Sequence, residues 1–202
     1  LRSSAIPDDN PEVLAALAQG IPVLKRAEFL GELTDDKQTI AIAGSHGKTT
    51  TTALIMHVLK YANANFDYMV GASLDGFDTM VNLEEKNDLA IFEADEYLSS
   101  PIDMRSKFLW YKPHISVITG IAWDHINVFP TYDSYLNTFK QFLRTIPGRE
   151  KVFYFENDTE LSKLIKAEKN IRTIPYSGFS GKYNSSGSTV EVNGKTIIAP
   201  IF

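Results

Sequence analysis

Apolar residues along this chain fall into short runs divided by polar turns, and two spacings recur. Thr39-Ile40-Ala41-Ile42-Ala43, Leu89-Ala90-Ile91-Phe92, Ile115-Ser116-Val117-Ile118-Thr119 and Val152-Phe153-Tyr154-Phe155 are brief and rich in β-branched or aromatic residues. Each predicts a buried strand. Between them, residues 48 to about 62 carry Leu54, Ile55, Val58 and Leu59 at helical spacing, and residues 132–145 and 159–167 read as further helices. Strands alternating with helices predict an α/β fold with a doubly wound, mainly parallel sheet. Near the end, residues 189–192 and 195–198 flank Asn193-Gly194, which predicts a small C-terminal β-hairpin.

The first part of the chain reads differently. Asn10-Pro11-Glu12 suits a helix start and Gly20 its stop, so a short helix is expected to about Gln19. Residues 21–33 then lead through the polar turn 34–37 as a connection, which puts a domain boundary between residues 34 and 35.

Composition narrows the classes. With 202 residues, the chain has room for one full domain and a piece of another. It contains no cysteine, which excludes disulfides, thiolate metal sites and a cysteine nucleophile. A formal net charge of −5 argues against a broad nucleic-acid surface. No run is long and apolar enough to span a bilayer, so a soluble, cytoplasmic protein without a membrane partner is expected. An anionic ligand would then need a local device.

Gly44-Ser45-His46-Gly47-Lys48-Thr49-Thr50 supplies one, between a predicted strand and helix. Glycines let backbone N–H groups approach phosphate oxygens, and a helix N-terminus adds its positive end. Lys48 would neutralise phosphate charge, and the Thr49 hydroxyl would ligate Mg²⁺. The general phosphate-loop pattern asks for glycine five residues before Gly47, where this chain has Ile42. A plain glycine turn capping a helix is the alternative.

Glu93-Ala94-Asp95-Glu96 follows the strand at 89–92. Ligands of open α/β sheets sit beyond the carboxyl ends of strands, so Glu93 is a candidate metal ligand, although such an acid run can also be a solvated loop. Trp123-Asp124-His125 follows another strand, and His125 would ligate metal or bind an anion, unless it is structural. Lys48 and His125 are thus the candidate catalytic side chains. His46, His57 and His114 carry less information. Arg105 and Lys107 are either a solvated charge run or a contact to an anionic substrate.

The segment from Gly44 to Thr52, with four threonines after Lys48, resembles the compact phosphate loop of the Mur ligases, which build the peptide of bacterial cell-wall precursors. That family also lacks the first glycine, which accounts for Ile42. The likeness extends over nearly the whole chain. Ser4-Ala5-Ile6, Asp9-Asn10-Pro11-Glu12, Gly20-Ile21-Pro22-Val23 and Arg26-Ala27-Glu28 look like the end of the family's uridine-nucleotide domain in its muramate-adding branch. The resemblance therefore implies residues 1–34 as the end of that domain and 35–202 as a truncated ATP-binding central domain. Glu93-Ala94-Asp95-Glu96-Tyr97 followed by Arg105-Ser106-Lys107-Phe108 is most similar to the murein peptide ligase branch. So is the spacing of 32 residues from Glu93 to His125 (125 − 93). That branch joins the tripeptide L-alanyl-γ-D-glutamyl-meso-diaminopimelate to UDP-N-acetylmuramate in peptidoglycan recycling. A neighbouring branch adds L-alanine instead.

By resemblance, Lys48 contacts ATP phosphates, Thr49 ligates a first Mg²⁺, and Glu93 and His125 bind a second. Some members carry a carbamylated lysine about where Lys140 lies. A nucleotide-binding module without ligase activity is the rival reading, and the pair Glu93 and His125 separates the two.

Overall fold

The computed structural model describes residues 1–3, 6–99, 105–148, 150–178, 181–184, 187–192 and 195–199. Ser4, Ala5, Asn193 and Gly194, used in the sequence reading, lie outside the described residues.

Seven strands form the main sheet: β1 (Gln38–Ala43), β2 (Asp67–Met69), β3 (Val81–Asn82), β4 (Leu89–Glu93), β5 (Ile115–Ile118), β6 (Lys151–Phe155) and β7 (Arg172–Tyr176). Their order is β3-β2-β4-β1-β5-β6-β7, and every pairing is parallel except β2 with β3. The chain thus places β2 and β3 to one side of β1, fills the gap with β4, and then crosses to the other side. Parallel strands covered on both faces must be apolar on both, and β1 is. Ile42 packs toward helix α3 (Lys48–Tyr61) with Met56, Phe66 and Ile91. Ala41 and Ala43 face the opposite core, with Phe92, Phe108, Tyr135, Phe139 and Leu161. That second face is covered by α2 (Arg26–Leu33), α4 (Tyr132–Thr145) and α5 (Thr159–Ala167). The sheet is doubly wound, as the alternation of patterns predicted.

Local sequence sets the helix ends. Asn10 accepts from Glu12 N–H at the start of α1 (Pro11–Ala18). Thr131 and Ser134 form a capping box on α4, and Asp158 caps α5 through Leu161 N–H.

Three sequence expectations need correction. Residues 21–33 are not merely a connection: α2 forms there, and its Ala27 and Leu30 enter the main core. The stripe expected on α3 is split. Thr52 and Met56 are buried, and Ile55 and Leu59 pack beside them, but Leu54 and Val58 are exposed. At about 100° per residue, positions 54 and 58 fall away from the sheet once 52 and 56 face it. Finally, the C-terminal element is a three-stranded sheet, β8 (Gly181–Asn184), β9 (Gly187–Val192) and β10 (Lys195–Ala199), in the order β10-β9-β8. The predicted hairpin is its antiparallel β9–β10 pair.

Candidate active site

β1 and β4 end side by side, with Ile42 opposite Glu93, and β5 ends on the other flank of β1. Three loops therefore open at one edge, where the chain order switches direction. The loop after β1 is stapled to the loop after β5. Ser45 N–H donates to Gly120 O (2.9 Å), and the Thr119 hydroxyl donates to His46 O (2.5 Å). The approach is so close that a Cβ on Gly44, whose φ is +127°, would lie 2.3 Å from Thr119 Oγ1 and 2.9 Å from Gly120 O. Gly44 is therefore required by packing.

Gly47 serves another purpose. Its φ of +77° turns the chain into α3, and a Cβ there would meet nothing within 4 Å. No side chain caps α3. The N–H of Thr51 bonds back to Gly47 O, so the amides of Lys48, Thr49 and Thr50 begin the helix without an intrahelical acceptor. Gly47, with open space at its Cβ position, immediately precedes them, at the positive end of the helix.

Two carboxylates organise the side chains. Glu93, at the end of β4, accepts from the Thr49 hydroxyl on both oxygens (2.9 and 3.0 Å) and from Gly71 N–H on Oε2 (2.8 Å). Glu96 is completely buried. Its Oε2 pairs with Lys48 Nζ (2.9 Å), and its Oε1 lies 3.2 Å from His125 Nε2 and 3.4 Å from the Tyr135 hydroxyl. Lys48 Nζ also donates to Gly44 O (2.6 Å). The Tyr135 hydroxyl lies 2.6 Å from Ser45 Oγ, which in turn donates to Ala122 O (2.5 Å). Burial, and then the charge of Glu96, hold the Tyr135 phenol well above its ordinary pKa, so it stays protonated and donates.

His125 is held on a strained backbone. It is one of two non-glycine residues with positive φ (+57°) among those described, and its own N–H is taken by Asp124 Oδ1 (2.6 Å). Its ring packs against Tyr97, centroids 4.3 Å apart. Asp158, besides capping α5, accepts from Ile121 N–H (2.7 Å) and so fixes the start of this loop.

Together these residues bound a cleft of about 400 Å³ lined by Lys48, Gly71, Glu93, Asp95, Tyr97, Lys107, His125 and Arg26, among others. Lys48, Glu93 and His125 line one cleft, and the Thr49 hydroxyl bonds to Glu93. The structure pairs Glu93 with Thr49, and His125 with Glu96, while Glu93 and His125 form no ion pair with each other. Among the described residues no group of three or more His, Cys, Asp or Glu is gathered closely enough to cage an ion. The donor set still suits Mg²⁺, which takes few protein oxygens and keeps several waters. A threonine hydroxyl already touching a carboxylate provides two such oxygens. The amides at the uncapped start of α3, together with Lys48, suit a phosphate chain.

Other side chains have different surroundings. The side chains of His46 and Thr50 are exposed. His57, exposed on α3, packs edge-on to Phe77, and His114 Nδ1 accepts from Thr39 N–H at the far end of β1. Arg105 lies over the Trp110 ring (4.2 Å), and Lys107 bonds Asp95 (2.6 Å) beside Tyr97. Lys140 does not line the cleft; the α4 side chain that reaches the site is Tyr135. Sequence reasoning missed Tyr135, Gly71 and the central place of Glu96.

Two family models match most of the chain. One described as "Mur ligase middle domain" matches residues 42–198, and one described as "Mur ligase family, catalytic domain" matches residues 1–38. The UDP-N-acetylmuramate–L-alanine ligase of Clostridium botulinum is 38% identical over 180 residues, covering 89% of this chain and 37% of the relative. This chain therefore spans little over a third of that relative's length. Among solved structures, the UDP-N-acetylmuramate:L-alanyl-γ-D-glutamyl-meso-diaminopimelate ligase of Neisseria meningitides aligns with a TM-score of 0.77 at 23% identity, covering 95% of this chain and 64% of that one. The MurF ligase of Thermotoga maritima in complex with ADP aligns with a TM-score of 0.65 at 14% identity, covering 89% and 45%. At those identities the likeness is one of fold. No helix among the described residues is long and apolar enough to cross a membrane.

Proposed function

The chain belongs to the Mur ligase family, and from that premise we propose that it is the ATP-binding part of a ligase that joins an amine to the carboxylate of UDP-N-acetylmuramate. The observation that carries this reading is the cluster at the uncapped start of α3. There Lys48 lies on a buried carboxylate, and the Thr49 hydroxyl lies on Glu93. On this reading residues 1–34 close a uridine-nucleotide domain and residues 35–202 form the central domain, in a cytoplasmic enzyme.

ATP supplies the phosphoryl group that makes the muramoyl carboxylate an acyl phosphate, and Mg²⁺ offsets its charge. Lys48 and the amides of residues 48–50 bind the phosphates. Thr49 and Glu93 would hold one Mg²⁺, and Glu93 and His125 would serve a second. The tripeptide or L-alanine amine then displaces phosphate. Little covalent chemistry falls to the side chains; they position the reactants and neutralise charge.

Two amines have separate support. The Arg105–Lys107 motif and the 32-residue spacing from Glu93 to His125 favour the tripeptide L-alanyl-γ-D-glutamyl-meso-diaminopimelate. The sequence likeness to an L-alanine ligase favours alanine. The test is phosphate release by the intact protein, with ATP and UDP-N-acetylmuramate, on addition of each amine in turn. Release that depends on the sugar nucleotide and one amine is expected, and its identity names the branch. ATP hydrolysis indifferent to both would overturn the ligase reading in favour of a nucleotide-binding module.

A further inference from the structure

The nucleotide reading uses Lys48, Thr49, Glu93 and His125, and leaves Glu96 without a task. Yet Glu96 is the most enclosed ionisable group of the site, with its side chain fully buried. Burying a carboxylate costs free energy that only strong partners offset, and both its oxygens are engaged. Lys48 Nζ lies on Oε2 (2.9 Å), while His125 Nε2 (3.2 Å) and the Tyr135 hydroxyl (3.4 Å) lie on Oε1. One carboxylate therefore ties together side chains from the helix after β1, the loop after β5, and α4.

We propose that Glu96 is a positioning residue that holds the Lys48 ammonium and the His125 ring in place, and that it does so in competition with the nucleotide phosphates for Lys48. The inference rests on the nucleotide-binding reading of the cleft. An ammonium has three donors. Two of those on Lys48 are already committed, to Gly44 O and Glu96 Oε2. An arriving phosphate must therefore share Lys48 with a carboxylate that already offsets its charge, or draw it away. Either way Glu96 weakens ground-state binding of the anion. The same contacts aim Lys48 and His125 at the reacting groups, where an error of about 1 Å can cost a hundredfold in rate. A group that opposes binding yet aids turnover leaves a signature with two opposite signs.

A residue that merely supports the fold leaves a different one. Its loss loosens the site and weakens binding and turnover together. The test is Glu96→Gln in the intact protein, with ADP affinity measured by titration calorimetry and turnover measured separately. Glutamine keeps the shape and removes the charge. ADP should then bind tighter, on the order of fivefold, the low end of common coupling between sites. Turnover at saturating ATP should fall by about a hundredfold. Should the variant fail to fold because Lys48 has lost its partner, Glu96→Asp serves instead. It retains the charge but withdraws it by one methylene, and should shift both quantities in the same directions by less. Unchanged or weaker ADP binding by a folded variant would overturn this inference alone. Failure of the unaltered protein to bind ADP would overturn the ligase reading and this inference with it.

Discussion

Two lysines pair with buried carboxylates at opposite edges of the same sheet. At the carboxyl edge Lys48 meets Glu96 at 2.9 Å; at the amino edge Lys37 meets Asp67 at 2.8 Å. Burial does not distinguish them, since the side chains are 12% and 0% exposed in one pair and 9% and 1% in the other. Nor does adjoining space, for a cavity of about 440 Å³ borders the Lys37 pair and one of about 400 Å³ the Lys48 pair. The surroundings differ. Asp67 is saturated by Lys37, Glu84 N–H and Asn87 Nδ2, and Lys37 also reaches Glu84 O, so the group ties the approach to β4 onto β1 and β2. The neighbours lining its cavity include the acids Asp36, Glu84 and Glu85. At the other edge an uncapped helix start, Gly44, Gly47 and Gly120 at positive φ, and a left-handed His125 crowd around the pair. An ion pair is a strut where the backbone around it is relaxed and no donors are left over. It belongs to a site where unspent donors and backbone strain converge.

The sharpest way to break this comparison is to remove the strut. Lys37→Met leaves Asp67 buried with its charge uncompensated, and should cost about 3–5 kcal/mol of stability, the usual result of removing one partner of such a pair. Denaturant unfolding measures this, and ADP affinity of the protein that stays folded should not change. A loss of nucleotide binding beyond the unfolded fraction would mean that the amino edge also serves the site.

The converse change is Lys48→Ala. Turnover of the intact protein should fall by about 10²–10³-fold, the scale for removing a donor aimed at developing charge. Calorimetry should also register weaker ATP binding. Normal turnover together with unaltered affinity would remove the phosphate-loop assignment.

A third experiment probes what joins the carboxyl edge together. Glu93 and His125 line one cleft but contact different partners, Thr49 and Glu96. Direct contact therefore cannot couple them; a shared metal can. A double-mutant cycle on turnover with Glu93→Gln and His125→Ala should give an interaction energy of about 0.5–3 kcal/mol. Additive effects would assign His125 to the support of Glu96 and withdraw the second Mg²⁺.

The comparison also explains what was legible in the sequence. The central strands could be read because burial on both faces leaves unbroken apolar runs such as residues 39–43 and 89–92. The loop after β1 could be singled out as a candidate phosphate site because glycine, lysine and threonine are adjacent in sequence. β2 and β3 could not, at three and two residues, nor β7, where Pro175 interrupts the run. Lys37 with Asp67 left no trace, because the pair spans 30 residues and neither neighbourhood is unusual. Glu96 was hidden in another way. In the run Glu93-Ala94-Asp95-Glu96 nothing local tells a buried acid from a solvated one. Only Tyr135, lying on the buried face of α4, and the Lys48 ammonium, both distant in sequence, reveal it.

The smallest effect concerns strain itself, through the two glycines of the phosphate loop. Both have positive φ, but a Cβ on Gly44 would collide with Thr119 and Gly120, whereas one on Gly47 would enter open space. Gly47→Ala should therefore cost only the left-handed conformation, about 1–2 kcal/mol. Gly44→Ala should cost distinctly more, because the loop after β5 must also shift. For nucleotide affinity Gly47 should be the more informative position. Gly47 is the N-cap of α3, so the extra methyl of Gly47→Ala stands at the helix start and should weaken ADP binding in protein that is otherwise folded. The measurement is unfolding and ADP titration on both variants. Equal stability losses would mean that the gap over Gly47 closes in solution. Retained affinity in Gly47→Ala would move the phosphates away from the helix start, and with them the distinction drawn here between the two edges.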